Sequence, residues 1–510
     1  MSCTVRFLPS GKTVCIFDDA TIMDAEREAA LRFEYPCGGT GTCGKCMVDI
    51  EVDGVKSRVK ACSTKVSDGM IVTLSDNNER DEVMTSGVAE SVTLSPALDG
   101  FDVSSPLGVA FDIGTTTIAA YLLDLCTGET IDVLGELNEQ IRYGADVVSR
   151  CIFSLKNGVE EISSCVNKQA DLMIGKLLEK HGLSKDDVCL VTIVGNTCMH
   201  HIFAGINPTT LVEIPYMPTV YEAFEKPAKD FFGNVNEKAK VLFLPVIAGF
   251  VGADTVGAML AVRFDEKEKN TLLLDIGTNG EMVMGNRDRY VACSTASGPA
   301  FEGAKILFGM RGAAGAIDHV NFNDGKLDIS VIGDEKAVGI CGSGLIDIIT
   351  VLLDEGVIMP GGRFDRKYEG PLKDRVKDID GAKCFVLTDD VYLTQKDIRE
   401  VQLAKGAIAA GIEILSKTLG IAYDDIKQVL IAGAFGNHMR KESMCRIKLL
   451  PPEFIDRIVP VGNAAGEGSK MALLSKEEYD RAQRMAKKAE FVELASHPDF
   501  QQRFIAQLDF

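Results

Sequence analysis

Four cysteines near the N-terminus have the residue type and the spacing of a metal centre. Cys37, Cys43 and Cys46 are separated by five and by two residues in a glycine-rich loop, and Cys62 follows in the next segment. Thiolates bind ferrous and ferric iron, and four of them complete a two-iron cluster. Glycines let the backbone fold closely around a metal and bring N–H groups toward the sulfurs. The loop therefore predicts a [2Fe–2S] cluster, with a four-cysteine zinc site as the alternative.

The elements around this loop favour the iron–sulfur interpretation. A zinc site usually has two short Cys-x-x-Cys pairs, whereas Cys37 and Cys62 stand alone. The flanking pattern, with its spacing of five residues, resembles a β-grasp [2Fe–2S] ferredoxin whose loop is closer to the adrenodoxin type than to the plant type. Alternation of apolar residues predicts a helix at 21–31 and strands at 3–9, 12–17, 45–52, 55–62 and 70–74.

A repeated motif further along the chain predicts phosphate binding. An apolar strand that ends in Asp-Ile-Gly-Thr occurs at Asp112 and again at Asp275, and a second strand follows each time. Such a repeat indicates an internal duplication, and two facing units make a cleft. The glycine lets the turn approach a phosphate, whose oxygens bind the hydroxyl and N–H groups, and the carboxylate can hold Mg²⁺ through water. The predicted catalytic residues are Asp112, Asp275 and Glu281, and the predicted nucleotide ligands are Gly114, Thr115, Thr116, Gly277, Thr278 and Asn279.

Two further glycine-rich segments extend this predicted site. An apolar strand breaks at Gly433, Ala434 and Gly436 into a turn suited to a backbone that passes an adenosine. Gly342, Ser343 and Gly344 begin an apolar helix whose N-terminus could help at the cleft, although an ordinary tight turn is the alternative there. The chain has no complete Gly-x-x-x-x-Gly-Lys-Ser/Thr sequence of a P-loop. Together these segments resemble the acetate kinase, sugar kinase, Hsp70 and actin (ASKHA) superfamily.

A narrower resemblance covers almost the whole chain. A ferredoxin domain followed by an ASKHA ATPase resembles the reductive activators of corrinoid-dependent methyltransferases. The resemblance implies an α/β multidomain fold, in which the β-grasp ferredoxin precedes a duplicated ribonuclease H-like ATPase of the actin, Hsp70 and acetate kinase type. The stretches that carry it are 138–150, 195–201, 249–254, 297–303, 309–312, 393–399 and 462–466.

The same resemblance implies a function. Such activators use ATP and Mg²⁺ to pass one electron through a [2Fe–2S] cluster to an inactive Co(II) corrinoid, which restores Co(I). The implied partners are a corrinoid protein or methyltransferase component and a low-potential electron donor such as a ferredoxin, a flavodoxin or a reductase. The oligomeric state stays open. Two alternatives also remain: an ATP-driven electron donor to another low-potential enzyme, such as a 2-hydroxyacyl-CoA dehydratase, and an ASKHA small-molecule kinase with a regulatory cluster.

Length and composition limit the other classes. The chain has 510 residues, of which 46% are hydrophobic, and a formal net charge of −20. That charge argues against a nucleic-acid partner, and the lack of a long apolar run or signal peptide argues against a membrane. The cysteines beyond the predicted ligands are scattered singly, mostly in apolar runs, and are expected to be small buried side chains. We therefore expect a cytoplasmic protein of anaerobic metabolism.

The predicted domains are four segments of unequal size. They are a ferredoxin-like domain at 1–76, a linker at 77–107 and two ASKHA lobes at 108–270 and 271–510. A flexible linker of that length has a mean span of about 30 Å and reaches roughly 100 Å when extended. The sequence thus predicts a ferredoxin domain that moves relative to the ATPase.

Several residues keep two interpretations at this stage. The adjacent His200 and His201 are either metal contacts or packed helix residues, with packing favoured. Asp146 and Arg150 have the spacing of a plain helix pair or line the cleft. The loop 297–303 is either a partner-facing loop or a turn. Glu281 orients the attacking water or is a solvated strand residue.

Overall fold

A computed structural model describes residues 2–29, 31, 46–74, 85–433 and 438–510. The N-terminal segment forms a mixed five-stranded sheet with strand order β2-β1-β5-β3-β4. In this sheet β1 is parallel to β5, and the antiparallel hairpins β1–β2 and β3–β4 lie on either side of that pair. The segment has an apolar core of its own. The elements are β1 (Ser2–Leu8), β2 (Thr13–Phe17), α1 (Ile22–Glu28), β3 (Met47–Val52), β4 (Val55–Lys60) and β5 (Met70–Thr73).

The first lobe is built on a six-stranded sheet with the order β10-β11-β9-β6-β7-β8. Its central strand β6 is parallel to β9 and antiparallel to β7, and it is buried except at its polar end. The strands are β6 (Leu107–Ile113), β7 (Thr117–Asp124), β8 (Thr130–Leu137), β9 (Val188–Gly195), β10 (Phe224–Pro227) and β11 (Lys240–Phe243). The helices are α2 (Val147–Asn157), α3 (Glu160–His181), α4 (Thr197–Phe203) and α5 (Ala253–Ala261).

The second lobe repeats this plan with the order β22-β21-β12-β13-β14-β23. Its central sheet contains β12 (Thr271–Ile276), β13 (Gly280–Gly285), β14 (Tyr290–Thr295), β21 (Gln428–Ala432), β22 (Ile458–Gly462) and β23 (Glu490–Phe491). Two small sheets contain β15 (Ala316–Asn323), β16 (Lys326–Val331), β17 (Gly339–Ile340), β18 (Val376–Ile379), β19 (Ala382–Val386) and β20 (Tyr392–Thr394). The helices are α6 (Gly342–Asp354), α7 (Gln395–Leu419), α8 (Lys441–Arg446), α9 (Ala464–Leu474), α10 (Lys476–Lys488) and α11 (Phe500–Ala506).

Helices α5 and α9 pack against each other between the two lobes. Glycines permit the close approach, since a Cβ on Gly468 would lie 1.9 Å from the carbonyl oxygen of Gly257. Helix α9 also contacts the first-lobe sheet, where the Ser469 hydroxyl donates to the Phe111 carbonyl (3.1 Å). A helix from the C-terminal half therefore completes the core of the N-terminal lobe.

Residues 85–106 run along the surface of the ATPase body instead of lying free. The Val88 N–H donates to the Val461 carbonyl, and the Ser95 N–H donates to the Leu474 carbonyl, both at 2.9 Å. Leu98 and Phe101 pack against a buried cluster of the first lobe. The prediction of an unattached linker over 77–107 is therefore wrong for 85–106, because apolar side chains and backbone bonds hold this stretch in place. Residues 77–84 lie outside the described part of the chain.

The predicted fold class is confirmed, with local differences. Each predicted strand and helix of the N-terminal sheet is present within a few residues of its expected bounds. Residues 92–94, whose apolar side chains could form a short strand, have no regular secondary structure, and the charged segment 476–495, whose pattern predicts a helix, is helical only as far as Lys488. Among the described residues, no helix is both long enough and apolar enough to cross a bilayer.

Candidate cluster site and nucleotide cleft

Two of the four predicted cluster ligands lie side by side at the end of the N-terminal sheet. The sulfurs of Cys46 and Cys62 are 3.1 Å apart, and both side chains are buried. The Ala61 N–H donates to the Cys46 carbonyl (2.8 Å), which fixes one ligand segment against the other. Cys37 and Cys43 lie outside the described residues. Two buried thiols this close together can supply two of the four thiolates that a [2Fe–2S] cluster requires.

The first Asp-Ile-Gly-Thr turn connects β6 to β7 and is held by a network of side chains. Asn138 Nδ2 donates to the Gly114 carbonyl (2.8 Å), and Asn196 Nδ2 donates to Thr115 Oγ1 (2.8 Å). The turn is also sterically tight, since a Cβ on Gly114 would lie 2.6 Å from the Thr117 carbonyl oxygen. The packing of the turn itself therefore requires glycine at this position, and the predicted contact of Gly114 with phosphate stays a prediction.

Arg150 lies beneath this turn and is fully buried. Its Nη2 donates to the Thr115 carbonyl (2.5 Å), its Nε donates to the Gly144 carbonyl (2.9 Å), and Nη1 contacts the Gln140 amide oxygen (3.2 Å). Burial lowers the pKa of Arg150 to about 10. The predicted helix pair is absent, because Asp146 instead caps α2 by accepting from the Ser149 N–H (2.7 Å). Arg150 therefore supports the first Asp-Ile-Gly-Thr turn from behind.

The second Asp-Ile-Gly-Thr turn connects β12 to β13 and has different surroundings. Thr278 Oγ1 donates to Glu302 Oε1 (2.8 Å), and Ser297 Oγ donates to the Thr278 carbonyl (3.3 Å). Both partners come from the segment 297–303, which has no regular secondary structure. The sequence left the role of that segment open, and the structure places it against the second turn.

Four carboxylates near the two turns influence one another's ionisation. Asp112 and Asp275 end their strands, Asp254 lies in the first turn of α5, and Glu281 follows on β13, where it accepts from Ser294 Oγ (3.3 Å). All four side chains are half-buried. Sequence reasoning missed Asp254 as a site residue, although its segment 249–254 carries part of the family resemblance. The signal that could have found it is a carboxylate in the first turn of an otherwise apolar helix.

Burial and mutual repulsion make these carboxylates hard to ionise. Desolvation raises the pKa of Asp112 to about 6, while its hydrogen bond from Asn463 opposes the shift. Desolvation, followed by the neighbouring Asp112 charge, raises the pKa of Asp275 to about 7. The pKa of Asp254 rises to about 7 through burial and then through Asp275 and Asp112. Burial, then Asp254 and Asp275, raises the pKa of Glu281 well above its usual range. A bound cation would relieve this repulsion.

The arrangement suits a cation held largely through water. Within the described ranges, no group of three or more His, Cys, Asp and Glu side chains is close enough to ligate a metal directly. Mg²⁺ keeps several waters and usually binds one or two carboxylates together with substrate phosphates. A carboxylate cluster between two phosphate-type turns therefore fits a magnesium–nucleotide pair better than a cage made of protein ligands alone.

The remaining predicted nucleotide residues are only partly described. Gly433 has a φ of +86° and lies against the second turn, since a Cβ there would be 2.5 Å from Asp275 Oδ1. Ala434 and Gly436 lie outside the described residues. Gly342, Ser343 and Gly344 begin α6 and are buried, and a Cβ on Gly344 would lie 2.2 Å from the Ile317 carbonyl oxygen. Close packing against β15 explains that glycine, and its predicted contact with nucleotide stays a prediction.

The adjacent histidines are packing residues. Both are fully buried, and the ring of His200 meets Phe224 and Phe243 edge to face. His201 Nε2 accepts from the Thr219 N–H (3.1 Å). Burial lowers the pKa of His200 to about 3 and that of His201 to about 4, so both are neutral. These contacts agree with the favoured interpretation of the sequence.

Comparison with protein families gives matches along nearly the whole chain. Family models described as a 2Fe-2S iron-sulfur cluster binding domain, the RACo middle region and the C-terminal ASKHA domain of RACo match residues 2–77, 107–267 and 269–510. The match described as the middle region falls on the first lobe. The N-terminal match supports a cluster in the N-terminal domain, and the C-terminal match supports nucleotide binding by the ATPase part of the chain.

Individual relatives agree with these matches. The corrinoid activation enzyme RamQ of Eubacterium limosum is 30% identical over 97% of this chain and 97% of its own length. A [Co(II) methylated amine-specific corrinoid protein] reductase of Methanosarcina barkeri is 26% identical over 79% of this chain and 77% of its own. A solved reductive activator for corrinoid, iron–sulfur protein aligns with a TM-score of 0.74 and 28% identity, over 100% of this chain and 98% of that one.

Proposed function

Because the chain belongs to the RACo family of corrinoid activators, we propose that it is an ATP-dependent reductive activator of a corrinoid protein. It passes one electron from a [2Fe–2S] cluster to the Co(II) corrinoid of a methyltransferase system and so restores Co(I). The observation that carries the proposal is the combination, in one chain, of a cysteine pair 3.1 Å apart and four electrostatically coupled carboxylates beside two Asp-Ile-Gly-Thr turns.

The energetics explain why a cluster and an ATPase belong together. Ferredoxin-type [2Fe–2S] centres have potentials near about −400 mV, and Co(I) is a stronger reductant than that. For one electron, each ~59 mV uphill lowers the equilibrium constant tenfold. Nucleotide binding changes which conformation is stable only by its differential affinity for the two states. A cleft that binds ATP and ADP differently can thus favour the complex in which cobalt is reduced.

The side chains of the cleft have separable roles in this proposal. Gly114, Thr115, Thr116, Gly277, Thr278 and Asn279 present hydroxyl and N–H groups to phosphate oxygens. Asp112 and Asp275 hold the hydrated Mg²⁺, which neutralises phosphate charge when bound. Glu281 orients the attacking water, and its raised pKa fits a group that can take a proton. Asp254 lies between these groups and shares the cation.

The N-terminal domain supplies the electron in this proposal. Cys37, Cys43, Cys46 and Cys62 hold the cluster, and a low-potential ferredoxin, flavodoxin or reductase reduces it. A cytoplasmic location suits this role, because a reducing compartment keeps cluster-binding thiols from forming disulfides. The corrinoid protein accepts the electron while ATP and water become ADP and phosphate.

Iron content and reaction products test this proposal. Protein purified without oxygen should be red-brown and contain about two irons per chain. In the presence of a Co(II) corrinoid protein it should form ADP and phosphate in equal amounts. Zinc without visible absorbance would overturn the cluster assignment, and a phosphorylated metabolite would identify a kinase instead.

A further inference from the structure

The segment 85–95, here called the strap, joins the cluster domain to the nucleotide cleft through a short path of backbone contacts. It extends the edge of the second-lobe sheet next to β22. The Val88 N–H donates to the Val461 carbonyl (2.9 Å), the Asn463 N–H donates to the Ser86 carbonyl (2.9 Å), and Gly87 pairs with Gly462 as an antiparallel bridge. The strap therefore binds as an added strand at an otherwise open edge.

Two glycines make this contact sterically specific. A Cβ on Gly87 would lie 2.6 Å from the Asn463 carbonyl oxygen. Gly462 has a φ of +64°, and a Cβ there would lie 2.4 Å from the Ser86 carbonyl oxygen. No side chain separates the strap from the backbone of Gly462 and Asn463, so a displacement of one backbone must move the other.

Gly462 and Asn463 also form part of the cleft. Asn463 Nδ2 donates to Asp112 Oδ2 (2.9 Å), and Asn463 Oδ1 caps α9 by accepting from the Gly466 N–H (2.8 Å). The Gly462 carbonyl accepts from the N–H of Gly433 (3.1 Å), whose backbone lies against Asp275. The backbone at Gly462 and Asn463 thus contacts the strap on one side. On the other side it is linked to Asp112 through the Asn463 side chain and to Asp275 through Gly433.

Other parts of the strap contact the far ends of the central helices. The Glu90 N–H donates to the Ala261 carbonyl at the end of α5 (3.2 Å), the helix that carries Asp254 in its first turn. The Ser95 N–H donates to the Leu474 carbonyl at the end of α9 (2.9 Å). Arg263 Nη2 donates to the Ser91 carbonyl (3.0 Å). The strap therefore contacts both helices that separate the lobes, and closure of the lobes would change these contacts.

Covalent geometry makes the strap the anchor of the cluster domain. Residue 74 ends the described N-terminal sheet and residue 85 begins the strap, eleven residues later. Such a stretch spans at most roughly 40 Å. The length of this stretch limits how far the cluster domain can lie from the strap. Any shift or release of the strap therefore changes the region in which the cluster can meet a partner.

We propose that the strap couples nucleotide binding to the position of the cluster domain, with Gly87 and Asn463 as positioning residues. When the strap is docked, Asn463 holds one oxygen of Asp112 and leaves the other for the cleft, so docking and nucleotide binding favour each other. This inference rests on the proposed function, because it requires ATP to bind at Asp112. Coupling is reciprocal, so release of the strap must weaken nucleotide binding by the factor by which nucleotide tightens the strap.

Hydrogen exchange on the wild-type protein tests this coupling without any mutation. Addition of Mg²⁺ and the ATP analogue AMPPNP should slow exchange in a peptide that covers Val88, and in one that covers Asn463, by about fivefold or more. Unchanged exchange in a protein that binds AMPPNP by calorimetry would overturn the coupling. Absence of any AMPPNP binding would instead overturn the proposed function, and the coupling with it.

A matched pair of variants tests the reverse direction. Gly87→Val places a side chain against Asn463 and should weaken AMPPNP binding about fivefold or more, with the unfolding midpoint little changed. Ala89→Val introduces the same side chain at an exposed strap position, and this variant should bind AMPPNP as the wild type does. Wild-type affinity in Gly87→Val, with fast exchange showing a released strap, would overturn the proposal. If Gly87→Val does not fold, the wild-type exchange experiment decides alone.

Discussion

The two Asp-Ile-Gly-Thr turns share a sequence but not a mode of support. The first is held from below by α2, α4 and the loop at Asn138, including a fully buried arginine. The second receives its side-chain bonds from one irregular segment through Thr278. The duplication explains the turns, whereas the segments between them decide how firmly each is held. We therefore expect the first turn to be preorganised for phosphate and the second to adjust on binding.

Removal of either strand-end carboxylate should have the largest effect, because both turns need one. Asp275→Ala should lower ATP hydrolysis about 10²–10³-fold, since charge stabilisation in the cleft is lost. Asp112→Ala should do the same and also remove the acceptor of the Asn463 Nδ2 hydrogen bond. Steady-state phosphate release measures the effect, and the visible spectrum of the cluster should be unchanged in both. Normal hydrolysis in both variants would refute the site assignment.

Arg150→Met should show how much of the first turn depends on its buried support. The change leaves the carbonyls of Gly144 and Thr115 without their donor, which should cost about 2–4 kcal/mol of unfolding free energy. Urea unfolding measures this loss. Arg142→Met is the matched control, because Arg142 is partly exposed and pairs with Glu139 beside it, so its loss should stay below about 1 kcal/mol. Equal losses would mean that Arg150 has no special role.

Glu302→Ala should have the smallest effect and should act on affinity instead of stability. Loss of the Thr278 bond should weaken AMPPNP binding about fivefold, while the unfolding free energy changes by less than about 0.5 kcal/mol. Glu302→Gln keeps an acceptor for Thr278 and should restore most of the affinity. A large loss of unfolding free energy in Glu302→Ala would show that support of the second turn stabilises the fold as much as support of the first.

The sequence was most informative where chemistry follows from local spacing. The apolar alternation around the cysteine loop predicted the strands of the N-terminal sheet, and the repeated Asp-Ile-Gly-Thr marked the two strand–turn–strand units β6–β7 and β12–β13. It failed where a residue acts through distant contacts. Arg150 has the spacing of a helix pair with Asp146, yet its partners are the Gly144 and Thr115 carbonyls, and that choice depends on how α2 packs.

The strap shows the same limit on a larger scale. Its composition gives no periodicity, so local pattern predicts a linker. Its order comes from backbone bonds to Val461 and Leu474, which lie far away in the sequence. Asp254 likewise becomes a site residue only because α5 lies between the lobes. Contacts between segments that are hundreds of residues apart leave no pattern in the local sequence. Turns and metal ligands do, because their residue types and spacing are local.

Electron delivery to cobalt tests the central claim most directly. The purified protein, with its cluster reduced by Ti(III), is mixed anaerobically with a Co(II) corrinoid protein, and the visible spectrum of the corrinoid is followed with and without ATP. We predict that the Co(I) spectrum grows only when Mg²⁺ and ATP are present, and that Asp275→Ala does not support it. Reduction at the same rate without ATP, or ATP hydrolysis with no change in the cobalt spectrum of any client, would contradict the account.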